Sequence, residues 1–192
     1  MAKSLILAST SKYRAELLTQ LGFSFTQVAP LVDETVVQNS KMVAKDKAEK
    51  LALLKAQAVY NEYPDALVLG GDQIPALGEE ILCKPSDADG AFQQLRRLRG
   101  QSHYLYTAIA LVGDGVETIY TDVTELKMRS LSDEEIRAYI AADQPFDCAG
   151  AYKFECGGRA LFEYVKCDDE TAITGLPLAY LGPALDGLLS GQ

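Results

Sequence analysis

This chain lacks long apolar runs, paired histidines and closely spaced cysteines, and each absence removes a class of protein from consideration. No apolar run approaches ~20 residues, so we expect no membrane-spanning helix and no membrane partner. His103 is the single histidine; a catalytic triad or a histidine metal site therefore has little support, and we interpret His103 as structural. The cysteines lack a CxxC spacing, which disfavours a zinc knuckle; they are Cys83, Cys148, Cys156 and Cys167.

Basic residues are also in the minority. Lys and Arg number 18 against 27 Asp and Glu, which gives a net charge of −9. This balance argues against broad nucleic-acid binding, because such binding needs a basic surface. An anionic substrate would be repelled at long range, so the chain would have to gather cations locally.

The amino-terminal stretch MAKSLILAST leads directly into Lys12 and Arg14 without a small-residue cleavage site. We interpret it as a first strand and not as a signal peptide. We therefore expect a cytoplasmic protein whose cysteines are free thiols. The 192 residues, 48% of them hydrophobic, suit one domain over residues 1–192.

Apolar periodicity and turn signals predict alternating strands and helices. The predicted strands are Ser4–Ala8, Phe23–Ala29, Ala66–Gly70, Ser102–Val112, Val116–Arg129 and Arg159–Val165. The predicted helices are Lys12–Leu21, Lys41–Asn61, Ser86–Arg99, residues 132–142 and a closing helix from Pro177 to about Leu189. The mixture includes one antiparallel hairpin around Gly113-Asp114-Gly115, so we expect a mixed sheet and not a purely parallel one.

Three hydroxyl residues and two cations stand where the first strand meets the first helix, in the stretch ILASTSKYRAELL. Helix capping is the commoner use of such hydroxyls. The alternative is an anion site, because the free N–H groups of a first helical turn and nearby cations bind phosphate. The stretch alone leaves both interpretations open.

Asp72 follows an apolar strand and two glycines in the segment LVLGGDQ. We place it at the carboxyl end of that strand, where ligands bind in open α/β sheets. A carboxylate there can hold Mg²⁺, orient a water or accept its proton. The alternative is a loop aspartate in an Asx-turn.

The evidence for a functional role is weaker at four other residues when each is considered alone. Asp33 and Glu34 are adjacent carboxylates, and in an extended segment only one of them can face a site. Lys84 precedes Pro85, which restrains its backbone, but it also fits an ordinary surface lysine. Lys55 lies in the long lysine-rich helix.

Seven short motifs in order resemble the Maf family of nucleotide pyrophosphatases, and more closely its subgroup that hydrolyses 7-methyl-GTP. They are LASTSKYR, VDET, LLKAQA, LGGDQ, CKP, CAGAYKFE and TGLPL, and the resemblance extends from Leu5 to Leu189. It implies an α/β fold similar to inosine triphosphatase, with a mixed twisted sheet, flanking helices and two lobes around a central cleft. Two departures are Cys83, where the family usually has glycine, and the loop after Thr35, which lacks the family's usual proline.

The resemblance assigns roles to the positions that match. Ser9 and Arg14 match the family's phosphate-binding turn, Lys55 the lysine of its long helix and Lys84 its lysine before proline. We expect both lysines to act as catalytic cations on the phosphates. Asp72 matches the residue assigned as proton acceptor. The resemblance further implies a divalent metal, Mg²⁺ or Mn²⁺, near Glu34 and Asp72. It also implies a homodimer as one expected oligomeric state.

Tyr13, Gln73 and Glu155 match the three positions that distinguish the subgroups, where the subgroup acting on dTTP and UTP tends to have Arg, Thr and Gln. Methylation at N7 makes guanine cationic, and an aromatic ring such as Tyr13 attracts a cationic planar base. Glu155 can accept hydrogen bonds from guanine N–H groups, and Gln73 can donate and accept. Without the resemblance, Tyr13 also fits a packing residue and Glu155 a surface carboxylate.

The sequence therefore predicts a hydrolase that converts 7-methyl-GTP to 7-methyl-GMP and pyrophosphate and so removes a modified nucleotide. One alternative is the same hydrolysis on dTTP, UTP or another modified nucleotide. The other is a nucleotide-binding regulator of septum formation without turnover.

Overall fold

The helices and strands follow the apolar pattern of the sequence in most places. The computed structural model describes residues 4–190; residues 1–3, part of the stretch interpreted as a strand and not a signal peptide, lie outside it. The strands are β1 (Leu5–Ala8), β2 (Phe25–Val28), β3 (Leu67–Leu77), β4 (Glu80–Ile81), β5 (Ser102–Gly113), β6 (Val116–Met128) and β7 (Phe162–Lys166). The α-helices are α1 (Lys12–Gln20), α2 (Thr35–Gln38), α3 (Ala44–Glu62), α4 (Ala88–Leu98), α5 (Asp133–Asp143), α6 (Thr171–Thr174) and α7 (Leu178–Ser190). Between residues 4 and 190, none of the helices has the length and apolarity needed to cross a membrane.

The strands form one mixed sheet in the order β2-β1-β3-β5-β6-β7, with β4 paired to β3. β1 runs parallel to both neighbours, so that Leu5 lies opposite Phe25 on β2 and Leu67 on β3. All four residues of β1 are buried, which is typical of a central parallel strand. β4 and β7 are antiparallel to their partners. The predicted α/β class with a mixed sheet is confirmed.

The chain packs into two compact units, which correspond to the two lobes that the resemblance implies. Within the described residues, the first unit contains 4–73, 107–122 and 169–190. Its core is built from leucines and one isoleucine on β1, β3, β5 and α1 and on the segment from residue 176 to α7. They are Leu5, Leu7, Leu17, Leu18, Leu67, Leu69, Ile109, Leu111, Leu176, Leu181 and Leu185.

The second unit contains residues 74–106 and 123–168. α4 and α5 contact each other, and α5 also contacts a 3-10 helix at Gly157–Leu161. His103 is completely buried here, and its Nε2 lies 3.0 Å from Tyr152 Oη. This placement agrees with the structural role expected for the only histidine. All four cysteines are free thiols, as predicted.

Two predicted strands differ from the observed ones. β3 continues to Leu77, so Asp72 lies inside the strand and not at its carboxyl end. The strand does not stop at the two glycines because its later residues pair with β4, where Ala76 lies opposite Ile81. The strand predicted at Arg159–Val165 begins only at Phe162, because its first part belongs to the 3-10 helix.

The long helix α3 begins at Ala44, three residues after the predicted start, because Val43 has an extended backbone at the N-cap. The sequence patterns also missed the two single-turn helices α2 and α6 and the two-residue strand β4. These elements are shorter than the window in which hydrophobic periodicity can be detected.

Candidate active site

The turn between β1 and α1 uses its hydroxyl groups in two ways. Ser11 is the N-cap of α1, and its Oγ accepts a hydrogen bond from the backbone N–H of Arg14 at 3.4 Å. Ser9 is buried, and its Oγ accepts from the backbone N–H of Ser11 at 3.1 Å. Capping therefore explains Ser11, whereas Ser9 lies two residues earlier, beside the guanidinium of Arg14. The first turn of α1 contains no acidic residue, so its positive end is not neutralised by its own side chains.

Arg14 lies on α1, and its guanidinium group donates hydrogen bonds to uncharged oxygen atoms of the first unit. Its Nε donates to the backbone oxygen of Gly175 at 3.2 Å, and one terminal nitrogen donates to Ser9 Oγ at 3.5 Å. Gly71 makes room for it, because a Cβ atom at Gly71 would lie 3.3 Å from the Arg14 Nε. Burial lowers the pKa of Arg14, and the charges of Asp72 and Glu34 oppose that shift.

Lys55 on α3 lies between two carboxylates. Its Nζ is 2.6 Å from Asp72 Oδ1 and 3.0 Å from Glu34 Oε1. The side chains of Lys55 and Asp72 are only 13% and 14% exposed, and that of Glu34 is 30% exposed. The structure thus brings together three of the candidate residues proposed from the sequence. They lie on segments that are about 20 positions apart in the chain.

Close packing of α3 on β3 explains why Lys55 reaches Asp72. Gly70 has no side chain, and a Cβ atom there would lie 2.2 Å from the backbone oxygen of Ala52. The helix can therefore lie directly on the strand. Asp72 shares the strand face of Gly70, and Lys55 follows Ala52 by one turn, so both side chains lie at this contact.

Burial is the main influence on Asp72 and raises its pKa above the usual range. The cations of Lys55 and Arg14 oppose the shift, and the charge of Glu34 adds to it. Asp72 is thus a carboxylate whose affinity for a proton is increased while two cations favour its ionised form. This combination suits a group that accepts a proton near neutral pH.

The structure distinguishes the two adjacent acids that the sequence left undecided. Asp33 Oδ1 accepts the backbone N–H of Thr35 at 2.9 Å, so Asp33 is used in the turn before α2. Glu34 instead points to Lys55, and its second oxygen accepts a hydrogen bond from the Gln38 side chain at 3.1 Å. Sequence reasoning missed Gln38. The i, i+4 spacing from Glu34 would have indicated it if α2 had been predicted.

The predicted metal ligands Glu34 and Asp72 both direct an oxygen at the same Lys55 ammonium. Two converging carboxylate oxygens fit part of the oxygen shell of Mg²⁺ or Mn²⁺, the rest of which phosphate and water can supply. In the part of the chain that the structure describes, no cluster of three or more candidate metal-binding side chains occurs. The donor set therefore fits a metal shared with a phosphate ligand better than a metal held by protein alone.

The side-chain amide nitrogen of Gln73 donates hydrogen bonds within the first unit, whereas its predicted role is recognition of the base. Its side-chain nitrogen donates to the backbone oxygens of Ala172 and Ile173 and to Thr107 Oγ1, at 2.9 to 3.0 Å. The amide N–H groups therefore hold the segment at α6, and the carbonyl oxygen is the part left to meet a ligand. Tyr13 is half-buried in α1, and Lys12 Nζ lies 4.9 Å from its ring centroid.

Lys84 and Glu155 belong to the second unit, and both are exposed. Lys84 follows Cys83, whose backbone oxygen accepts a hydrogen bond from Gln94 at 3.0 Å. Glu155 lies two residues after Lys153, whose backbone N–H donates to Tyr139 Oη at 2.8 Å. These hydrogen bonds involve the backbone next to each residue, and the action of Lys84 and Glu155 on a substrate stays a prediction.

Comparison with known proteins agrees with this fold. The structure of the Staphylococcus aureus Ham1 protein is similar at a TM-score of 0.51 and 12% sequence identity, over 96% of this chain and 99% of that one. At this identity the likeness concerns the fold alone, and it agrees with the α/β architecture described above. The chain belongs to the Maf family, because the model for Maf-like protein matches residues 4–188.

Relatives with curated names are similar over most of their length. The chain is 42% identical over 184 residues to a protein of Bdellovibrio bacteriovorus, with 96% of each chain covered. It is 44% identical over 180 residues to a protein of Thiobacillus denitrificans, covering 93% of this chain and 89% of the relative. Each of these relatives is named 7-methyl-GTP pyrophosphatase.

Proposed function

We propose that this protein hydrolyses 7-methyl-GTP to 7-methyl-GMP and pyrophosphate. The family, and the printed names of relatives at 42% and 44% identity, support this reaction class and substrate. The structural observation that carries the proposal is the buried Asp72, held beside Lys55 and Glu34 in the same unit as Arg14. A role in binding alone would not require a buried carboxylate with a raised pKa.

The phosphate tail would bind at the start of α1. The free N–H groups of its first turn, the hydroxyl of Ser9 and the guanidinium of Arg14 are donors suited to phosphate oxygens. Lys55 adds a second cation. Lys84 would contribute a third, a role that rests on the family resemblance alone.

Asp72 would act as the proton acceptor for the attacking water. The water oxygen forms a bond to the α-phosphorus, its proton passes to Asp72, and the bond between the α-phosphorus and the bridging oxygen breaks. Pyrophosphate leaves with the electron pair of that bond. The charges of Lys55 and Arg14 favour the ionised form of Asp72, and burial increases its affinity for the proton.

Glu34, or Asp72 in place of its role as proton acceptor, would hold Mg²⁺ or Mn²⁺ together with phosphate oxygens. Such an ion, when bound, neutralises negative charge on the phosphates. Glu34 is suited to this because its carboxylate is oriented from two sides, by Lys55 and by Gln38. When phosphates arrive, they would compete with the carboxylates for the Lys55 ammonium.

Recognition of the methylated base would rest on Tyr13, Gln73 and Glu155. The Tyr13 ring would stack on the cationic base, and the carboxylate of Glu155 would accept guanine N–H groups. Gln73 would offer its carbonyl oxygen, since its amide nitrogen already donates to the backbone near α6. We also propose a cytoplasmic location, which the free cysteine thiols suit, and a homodimer, which the family resemblance implies.

The test is pyrophosphate release by purified protein with Mg²⁺ or Mn²⁺, measured on 7-methyl-GTP, GTP, dTTP and UTP. We expect 7-methyl-GTP to have the highest kcat/KM and Asp72→Asn to lose about a thousandfold or more in kcat. A preference for dTTP or UTP would favour the other Maf substrate class. Nucleotide binding without turnover under either metal would contradict the proposal and favour the regulator.

A further inference from the structure

Lys47 is a buried cation without a role in the reaction described above. It is on α3, two turns before Lys55, and its residue is only 7% exposed. Its ammonium donates to the backbone oxygen of Gln38 at 2.8 Å and to that of Ser40 at 3.3 Å. Burying an ammonium is costly, and two neutral carbonyl oxygens compensate it less than a carboxylate would.

The element that Lys47 holds is α2, a helix of one turn. A helix of four residues is not stable by itself and depends on tertiary contacts. Val37 is its buried side chain, and the last backbone oxygens of such a turn need external donors. The Lys47 ammonium is such a donor for Gln38, the last residue of α2, and it also donates to Ser40, two residues further on.

The contacts continue from this end of α2 to Asp72. The backbone of Gln38 is held by Lys47, and the side-chain nitrogen of Gln38 donates to Glu34 Oε2 at 3.1 Å. Glu34 Oε1 in turn lies 3.0 Å from Lys55, which contacts Asp72 at 2.6 Å. Two lysines of α3 thus hold the same short segment, one at each end.

We propose that Lys47 is a positioning residue for the reaction, which anchors α2 so that Gln38 can orient the Glu34 carboxylate toward Lys55 and the phosphates. This role rests on the proposed function, because Glu34 matters for turnover only if the site binds nucleotide. Lys47 itself does not touch the substrate in this proposal. Its effect on the reaction passes through Glu34.

The first test is Lys47→Met, which keeps the length of the side chain and removes the ammonium. We expect kcat/KM for 7-methyl-GTP to fall about tenfold, because small displacements of a positioned group slow the chemical step strongly. Lys47→Arg should recover most of the loss, since it restores the donors. Lys50→Met, at an exposed lysine of the same helix, removes the same charge and should leave the rate unchanged.

A double-mutant cycle separates positioning from general loss of stability. In a Glu34→Gln background, Lys47→Met should cost less than about twofold, because the group through which it acts has already been changed. An equal loss in both backgrounds would overturn the proposal. All rates are measured well below the unfolding temperature of each variant.

Amide hydrogen exchange gives a readout that does not depend on turnover. In Lys47→Met, the amides of residues 35–40 should exchange about tenfold faster or more, while those of β3 stay unchanged. Unchanged exchange at α2 would overturn the anchoring role. A wild-type protein that turns over no nucleotide would instead overturn the proposed function, and the exchange data would still decide whether Lys47 anchors α2.

Discussion

The ammonium of Lys55 lies 2.6 Å from Asp72 Oδ1, and the two side chains are about equally buried. Burial alone would favour a protonated, neutral Asp72, whereas the neighbouring cation favours the ionised form. The balance between these influences sets the pH at which Asp72 can accept a proton. The influence of Lys55 on Asp72 can therefore be tested by replacing Lys55 and measuring how the reaction depends on pH.

Lys55→Met should shift the acidic limb of the pH profile of kcat/KM to higher pH. The pKa of Asp72 is already raised by burial, and Lys55 opposes that shift, so its removal raises the pKa further. The loss of kcat/KM at neutral pH should be about a hundredfold. Profiles measured from pH 5 to 9 check this. Lys50→Met is the matched control, and an acidic limb that stays in place in Lys55→Met would contradict the role of the pair.

Glu155→Gln should change substrate choice more than overall rate. A carboxylate accepts charge-assisted hydrogen bonds from guanine N–H groups, and the neutral amide weakens them. We expect the ratio of kcat/KM for 7-methyl-GTP over dTTP to fall about tenfold or more. Glu163→Gln, at an exposed glutamate on β7, is the matched control. If Glu155→Gln leaves the ranking of substrates untouched, the specificity argument fails.

His103 should make the protein less stable in mild acid. Burial lowers its pKa to about 4, below the usual 6.5, so the unfolded chain binds a proton that the folded chain does not. Stability is therefore complete above pH 6.5 and falls as the pH drops toward 4. The His103 contribution should cost about 2 kcal/mol between pH 7 and pH 5.

Urea denaturation of wild type and His103→Gln at both pH values measures this contribution. The glutamine can still bond Tyr152 Oη but does not titrate, so the variant should lose less stability between pH 7 and pH 5. Equal losses in the two proteins would show that other groups cause the acid sensitivity.

Gly70→Ala should destabilise the protein and separate Lys55 from Asp72. The new Cβ atom would lie 2.2 Å from the backbone oxygen of Ala52, so α3 would have to move away from β3. We expect a loss of at least about 3 kcal/mol in the free energy of unfolding. Gly187→Ala is the control, because nothing lies within 4 Å of its Cβ position in α7, and it should gain up to about 1 kcal/mol. A Gly70→Ala protein as stable as wild type would contradict the packing argument.

Local signals predicted the parts of the fold that depend on near neighbours in sequence. Gly22 and Gly100 have φ of +78° and +70° at the ends of α1 and α4, where the sequence placed helix stops. Ser132 forms the predicted capping box with Glu135 at the start of α5. The length of β3 was not predictable in this way, because pairing with β4, and not the residues of β3 themselves, carries it past Asp72.

In the candidate site too, contacts between residues near in sequence were predictable, and contacts between distant residues were not. Ser9, Ser11 and Arg14 lie within one turn of chain, so their hydrogen bonds could be anticipated from the stretch itself. Lys55 and Asp72 are 17 positions apart, and only the resemblance suggested that they act together. The orientation of Gln73 could not be predicted, because the backbone oxygens that fix it come from residues about 100 positions later.

The hydrogen bond from Arg14 to the backbone oxygen of Gly175 has a consequence for synthesis on the ribosome. Leu176, Leu181 and Leu185 belong to the same core as β1 and α1, although the chain builds the whole second unit before it reaches them. The amino-terminal segment must therefore keep part of its apolar surface uncovered until residues 176–185 have left the exit tunnel. A nascent chain that stalls while residue 176 is still inside the tunnel would have a turn between β1 and α1 whose Arg14 lacks its final hydrogen-bond partner.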